Sequence, residues 1–156
     1  MKRFMKEQNG NAVLWALFTI LILCILSAVV YSAVTVYVNY QAAEAELQRA
    51  ATMSADTSME NANVRDLVLD VPVESATESF YANLTEAGWV KEDNVWARYD
   101  GDEALYGLEN MQVEITDMSM RIDATFEMPL LWEIGDMGNV RIPMQIQASI
   151  LYVDEN

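Results

Sequence analysis

The chain has 156 residues, 53 % of them hydrophobic, and its 24 acidic against nine basic side chains give a net charge of −15. So acidic a chain lacks the basic patch that contact with nucleic-acid phosphates needs, and we expect no nucleic-acid partner. It also contains no histidine, the commonest general base and a common metal ligand. We therefore expect a protein that is not an enzyme, with no catalytic residues, no metal and no cofactor.

Residues 12–38 are 27 consecutive residues without a charge, a proline or a glycine. A helix of that length is about 40 Å long, enough to cross a hydrocarbon core of about 30 Å. Its residues are apolar on every side, so no single stripe would satisfy it in water. Trp15 lies near its start, and Tyr37 and Tyr40 lie at its end, where aromatic rings favour the two membrane interfaces. We predict a transmembrane helix over 12–38, with these three residues as interface anchors.

Charge on the two sides of this segment predicts its orientation. Residues 1–11 carry three basic side chains and one acidic, whereas the residues after 38 carry six basic and 23 acidic. Because basic flanks stay in the cytoplasm, we predict a cytoplasmic tail over 1–11 and an extracytoplasmic part over 39–156 of a single-pass cell-membrane protein. A cleaved secretory signal also begins with a basic tail, but its apolar region spans about 7–15 residues. The length here favours a retained anchor in contact with membrane lipid.

Residues 39–63 are predicted to form an extracytoplasmic helical stalk and linker, with the helix ending near Ser54 and residues 56–63 as a linker or fraying end. The stretch is rich in good helix formers. Its apolar stripe is thin, consisting of Ala42, Ala45, Leu47 and Ala50, and the opposite side carries Glu44, Glu46, Gln48 and Arg49. An isolated helix with so little to bury is marginal in water. Either the chain's own domain or a partner helix covers the stripe, or the stalk is solvated.

Residues 64–156 are predicted to form an extracytoplasmic α+β domain, beginning with a short helix. Its apolar positions are spaced by three or four residues: Val73, Ala76, Phe80, Leu84 and Ala87. Gly88 is a predicted left-handed cap at the end of this helix. The helix starts either at Pro72 or, from the capping-box spacing of Ser75 and Glu78, at Ser75. We expect its apolar face to pack on a sheet.

The rest of the domain has the pattern of an antiparallel sheet. Apolar and polar residues alternate strictly over 111–116, 120–128 and 140–152, which predicts strands with one buried and one wet face. A hairpin is predicted over 89–97, a polar loop over 99–110, and turns over 117–119 and 135–139. Pro129 and Pro143 belong at an edge or a bulge because they cannot donate to a ladder. The inward methionines, Met111, Met120, Met128 and Met144, are predicted core residues.

Two features that suggest chemistry have simpler interpretations. Residues 100–103 are Asp, Gly, Asp and Glu, which offer oxygen ligands for calcium but lack the EF-hand spacing, so we predict a charged β-turn. The remaining carboxylates lie along the exposed phases of the strands, where a solvated face explains them. The single cysteine, Cys24, lies mid-helix and is predicted to be a small apolar residue.

The layout resembles that of type IV pilin-like proteins, and most closely the TadE/TadG-like minor pseudopilins of tight-adherence (Tad, or Flp) pilus systems. The resemblance depends on Gly10-Asn11-Ala12-Val13 at the start of the helix, and on Met128-Pro129-Leu130-Leu131 and Ile142-Pro143-Met144 in the strands. It implies a leader-processing site between Gly10 and Asn11. The family usually has a glutamate five residues after the glycine, and Trp15 occupies that place here. Since a buried glutamate marks assembly in pilins, its absence favours a permanently anchored accessory subunit.

The resemblance predicts a single-pass, pilin-like accessory protein of a Tad-like pilus or secretion assembly. Its expected partners are other pilus or secretion subunits, with no small-molecule substrate. Contacts between membrane helices come from close packing of small residues, and Ser27, Ala28, Ser32 and Ala33 supply one such strip. Sheet-edge contacts would add to them. The alternative is a membrane-anchored exported sensor or ligand-binding domain.

Overall fold

A computed structural model describes residues 4–65, 73–116, 119–134 and 137–149, and side-chain surroundings within 11–57, 73–116, 119–130 and 138–148. Two helices precede five strands: α1 (Phe4–Arg65), α2 (Val73–Glu86), β1 (Trp89–Glu92), β2 (Val95–Asp100), β3 (Glu103–Thr116), β4 (Ser119–Ile134) and β5 (Met137–Ser149). The strands form one antiparallel sheet in the order β1-β2-β3-β4-β5. The predicted α+β class, with a long N-terminal helix, a short helix and an antiparallel sheet, is confirmed. The chain divides into two compact units after Val38.

Helix α1 is longer than the sequence predicted. It continues past Ser54 to Arg65, so residues 56–63 are helical rather than a linker. No glycine or proline occurs between Asn11 and Arg65 to interrupt it. The hydroxyl groups of Thr52 and Thr57 each donate to the carbonyl four residues back, at 2.9 and 2.8 Å, so these residues do not break the helix either.

The later part of α1 belongs to the core of the second unit. Its buried residues are Ala43, Leu47, Ala50, Ala51, Ser54 and Ala55. Spacings of three and four residues place them on one face, which the chain's own domain covers. The sequence left three possibilities for this part of the helix: cover by the chain's own domain, cover by a partner helix, or a solvated stalk. The first of these is therefore confirmed. The predicted stripe was wrong at Ala42 and Ala45, which are exposed, because the alanines at 42, 43 and 45 lie on different sides of the helix and do not reveal which side is buried.

Helix α2 and the inner face of the sheet supply the rest of this core. Ala76, Phe80 and Leu84 are buried as predicted, whereas Val73 and Ala87 at the two ends are exposed. The helix begins at Val73 rather than at Ser75. The buried sheet residues include Trp89, Trp96, Tyr106, Leu108, Met120, Ile122, Ala124, Phe126, Met144, Ile146 and Ala148. The predicted alternation is thus confirmed in β4 and β5, and two of the four methionines predicted in the core, Met120 and Met144, are fully buried.

The polar loop predicted over 99–110 was wrong. Strand β2 runs to Asp100, β3 begins at Glu103, and Gly101, with φ of +65°, turns the chain between them. The charged turn predicted there is therefore confirmed. The first half of β3, before Met111, was missed because the alternation breaks at a register shift between Glu109 and Gln112, where Asn110 has φ of +53°.

Both strand prolines lie where a missing N–H is tolerated, as predicted. Pro143 belongs to the edge strand β5, and Pro129 adjoins a register shift in the pairing of β4 with β5. Strand β5 begins at Met137, inside the turn predicted over 135–139 and before the strand start predicted at Val140. Residues 117 and 118 of the other predicted turn, and 150–152 of the last predicted strand, lie outside the described residues.

Gly88 ends α2 in the left-handed conformation that the sequence predicted. Its φ is +92°, and a Cβ placed there would lie 2.5 Å from Arg98 Nη1. We expect Gly88→Ala to lower the free energy of unfolding by about 1–2 kcal/mol, because L-residues are disfavoured in this conformation. Gly138→Ala is the matched control, since nothing lies within 4 Å of its added Cβ. Equal urea midpoints for the two variants would contradict this account.

Candidate membrane anchor and subunit-contact surfaces

The first part of α1 presents an apolar surface. Seventeen large hydrophobic side chains from Val13 to Val38 are each between 41 % and 66 % exposed. Within Asn11–Thr57 the helix is long and apolar enough to cross a membrane, a property that signal sequences share. The structure thus contains one candidate membrane span among its described residues.

The three predicted interface anchors lie in different surroundings. Trp15 is 66 % exposed with its ring edge-on to Phe18 at 6.4 Å, and Tyr37 is 60 % exposed. These two are 22 residues apart, about 33 Å along a helix, which matches a hydrocarbon core of about 30 Å. Tyr40 is half-buried, with its ring edge-on to Phe126 at 5.7 Å. Tyr40 therefore packs against the sheet, a contact that the sequence did not predict.

The residues of the predicted small-residue strip differ in their exposure. Ala28 and Ser32, one turn apart, are half-buried, whereas Ser27 and Ala33 are exposed. Cys24 lies one turn before Ala28, so small side chains recur every four residues on this face. An open groove of about 600 Å³ runs along it between Ile20 and Tyr31. Ala33 lies about 100° round the helix from Ser32 and belongs to another face.

The hydroxyl of Ser32 differs from its neighbours. Thr19 and Thr35 donate to the carbonyls of Trp15 and Tyr31 at 2.9 and 3.0 Å. Ser32 Oγ is enclosed and makes no hydrogen bond within the described part of the chain. A donor without a partner is costly in hydrocarbon, and serines in membrane helices hydrogen-bond across helix pairs.

The residues of the predicted processing site lie in α1. Gly10 and Asn11 are both helical, and Asn11 is exposed. The structure does not bear on whether the peptide bond between them is cut, and processing there stays a prediction.

A polar cluster fixes the later part of α1 to the domain. Glu46, assigned by the sequence to the exposed side, accepts a hydrogen bond from Trp89 Nε1 at 2.7 Å and lies 3.6 Å from Arg98 Nη2. Arg98 also donates to the carbonyl of Ala87 at the end of α2. This cluster joins both helices to β1 and β2. No sequence signal identified it, because it depends on strand pairing that places Arg98 opposite Trp89.

The outer face of β4 and β5 carries a network of paired polar side chains. Asp123 accepts hydrogen bonds from Arg121 at 3.0 Å and Gln145 at 2.7 Å. Glu127 accepts from Asn139 at 2.7 Å and from Arg141 at 3.1 Å. The sequence predicted that the strand carboxylates form a solvated face, which fits this network of polar pairs. Glu127 is the exception, since its side chain is only 15 % exposed.

Glu109 and Glu127 influence each other's protonation. Hydrogen bonding to Glu127, with burial and repulsion, raises the pKa of Glu109 above its ordinary value. Burial acts to raise the pKa of Glu127 as well, but hydrogen bonds from Asn139, Glu109 and Arg141 outweigh it and leave that pKa lowered. Arg141 is the guanidinium beside both carboxyl groups, 3.1 Å from Glu127 and 3.9 Å from Glu109.

We expect Glu127→Gln to lower the pKa of Glu109. The substitution removes the main cause of its rise and leaves Arg141, 3.9 Å away, to favour the charged carboxylate. A ¹³C NMR titration of the glutamate carboxyl groups measures the shift. Glu114→Gln, on the same strand face, is the control and should leave Glu109 unchanged. An unchanged Glu109 pKa in Glu127→Gln would show that the two groups are not coupled.

Comparison with family models, curated proteins and solved structures gave no match. Within the described residues no group of three or more carboxylate, cysteine or histidine side chains is arranged to hold a metal ion. The candidate surfaces are therefore interpreted from the chain's own geometry.

Proposed function

We propose that the protein is a single-pass, membrane-anchored, pilin-like accessory subunit of a Tad-like pilus or secretion assembly, as its resemblance to TadE/TadG-like proteins implies. One observation carries the proposal: a single helix, α1, supplies both a membrane-length apolar segment and part of a domain core. Residues 13–38 expose their apolar side chains, whereas Leu47 and its neighbours are buried. A helix used in this double way is the pilin-like layout that the resemblance implies.

In this proposal the N-terminus is cytoplasmic and the α+β domain lies outside the membrane. Basic residues before the span and the acidic excess after it support that orientation. In this proposal the domain acts by contact with other subunits rather than by chemistry. Other subunits would meet it through the membrane helix and through the edge strand β5.

The face of α1 containing Ala28 and Ser32 is the proposed contact with other membrane helices. Small side chains at these positions let a second backbone approach closely. The resemblance supports partners in the same membrane. They would be other single-pass subunits of the assembly.

Site-specific photocrosslinking in native membranes tests this proposal. A photoreactive residue at Ala28 should form adducts with pilus or secretion subunits, identified by mass spectrometry. The matched control is Val30, which is 61 % exposed and lies about 200° round the helix from Ala28. Equal adducts at the two positions, or adducts with lipid alone, would contradict the proposed contact face.

The alternative function is an exported sensor or ligand-binding domain, and one observation favours it. The outer face of the sheet has an open groove of about 450 Å³ between Glu92 and Asn139, a volume in the range of small-ligand sites. Genes beside this one separate the two proposals. Pilus ATPase and platform-protein genes favour assembly, whereas a histidine kinase or a transporter favours sensing.

A further inference from the structure

The outer face of β2 and β3 is apolar where a solvated sheet face is ordinarily polar. Val95, Ala97 and Gly107 form its floor, with Ala97 paired directly opposite Gly107. Ala97 is only 6 % exposed. We call this concavity, with Tyr99, Glu92 and Glu127 at its rim, the outer groove.

Gly107 keeps the outer groove open. A Cβ at this position would lie 2.9 Å from Val95 Cγ1, so any larger residue would displace Val95 or fill the floor. The φ of Gly107 is not in the left-handed region, so the backbone does not itself require glycine. The small residues Ala97 and Gly107 together leave a depression beside the network of paired polar side chains on β4 and β5.

The rim of the outer groove is negatively charged. Glu92 accepts a hydrogen bond from the Tyr99 hydroxyl at 2.6 Å, which fixes the ring beside the floor. Glu127 lies on the other side with Arg141 as the counter-ion that it shares with Glu109. Glu92, Asp93 and Glu127 line the groove, and Arg141 pairs with only the last of these three, so the rim keeps an excess of negative charge. An apolar floor, an aromatic ring and acidic ends match a side chain with an aliphatic stem and a cationic head.

The part of the chain after residue 38 has few basic side chains that could enter the groove of a second copy. After residue 38 the described basic side chains are Arg49, Lys91, Arg98, Arg121 and Arg141. Arg98, Arg121 and Arg141 are in ion pairs, and Lys91 lies over the rings of Tyr81 and Trp96. Four of these five side chains are thus engaged within the chain, and the negative rim of the groove favours a partner segment rich in lysine or arginine.

We propose that the outer groove binds a lysine or arginine side chain from an extended, basic segment of a partner subunit. The methylene stem would lie on Ala97 and Gly107, beside the Tyr99 ring, with the charged head at the Glu92 end of the groove. The inference deepens the proposed function, since it rests on the protein having subunit partners, and it adds the chemistry of one of them.

The test uses the full chain in lipid nanodiscs and the peptide acetyl-Val-Arg-Val-amide, followed by shifts of the Ala97 and Gly107 amide signals in NMR. The matched probe carries citrulline in place of arginine, which removes the charge and keeps the shape. We expect the arginine peptide to bind about fivefold more tightly, because an exposed ion pair with a cation–π contact contributes about 1 kcal/mol. Spermidine is the third probe, as a cation without a peptide backbone.

Two variants locate the site. The double substitution Glu92→Gln and Glu127→Gln should abolish the preference for arginine, whereas Glu114→Gln, elsewhere on the outer face, should retain it. The proposal would be overturned if the two peptides bound equally, or if Glu114→Gln lost the preference for arginine as fully as the double variant. It would also be overturned if spermidine bound more tightly than the arginine peptide. The photocrosslinking test at Ala28 does not depend on the outer groove. A negative result in the peptide experiment is therefore distinguishable from failure of the proposed function.

Discussion

Three lysines on one face of the membrane segment should release the protein from the membrane. Leu21→Lys, Ile25→Lys and Val29→Lys lie one turn apart, at side chains that are 50–56 % exposed. On insertion scales each lysine near the helix centre costs about 3 kcal/mol, so the triple substitution costs about 9 kcal/mol. That cost is comparable to the whole gain from the apolar segment. After alkaline carbonate extraction, we expect the variant mostly in the supernatant and the unaltered chain in the pellet.

The control carries the same added charge on exposed apolar residues of the second unit. Val73→Lys, Val90→Lys and Leu105→Lys replace side chains that are 58 %, 48 % and 37 % exposed. This variant should stay in the pellet. If both triple variants fractionate alike, residues 12–38 do not hold the protein in the membrane.

The second large effect is expected at Leu47, where α1 enters the domain core. Leu47 is 0 % exposed, so Leu47→Asp places a carboxylate without a partner among apolar side chains. Burial of such a group, together with the loss of leucine packing, is expected to cost about 4 kcal/mol or more. A domain of ordinary stability would lose much of its folded population. Urea unfolding of the full chain in micelles, followed by fluorescence of the buried Trp89 and Trp96, measures the loss.

Gln48→Asp is the matched control because it introduces the same residue one position along the same helix. Gln48 is exposed, so this change should alter the free energy of unfolding by less than about 0.5 kcal/mol. Similar unfolding curves for the two variants would mean that this segment is a solvated stalk. A large difference is expected only if the domain covers the Leu47 face of the helix.

Elements whose apolar residues recur at a regular spacing could be predicted from the sequence. Elements in which that spacing is interrupted could not. Strict alternation identified β4 and β5, and spacings of three and four identified α2. Strand β3 was found only from Met111 onward, since its earlier half contains Gly107 and a register shift near Asn110. Glycine there reflects the close approach of Val95 rather than a loop, and only the paired structure reveals this.

The candidate contact surfaces were predictable only where they lie on one element. The apolar span and its small residues follow from composition. Glu46 was placed on the solvated side because its partners, Trp89 and Arg98, lie more than 40 residues away in the chain. The outer groove likewise depends on the register that pairs Ala97 with Gly107. Such long-range contacts leave no local signature.

The most direct test of a retained membrane anchor is the intact mass and amino-terminal sequence of the protein recovered from native membranes. The account predicts a species that retains residues 12–38, and a start at Asn11 would in addition show cleavage after Gly10 despite Trp15. A start beyond Ala45 would mean that the apolar segment is a removed signal, and the proposed membrane-anchored subunit would be wrong.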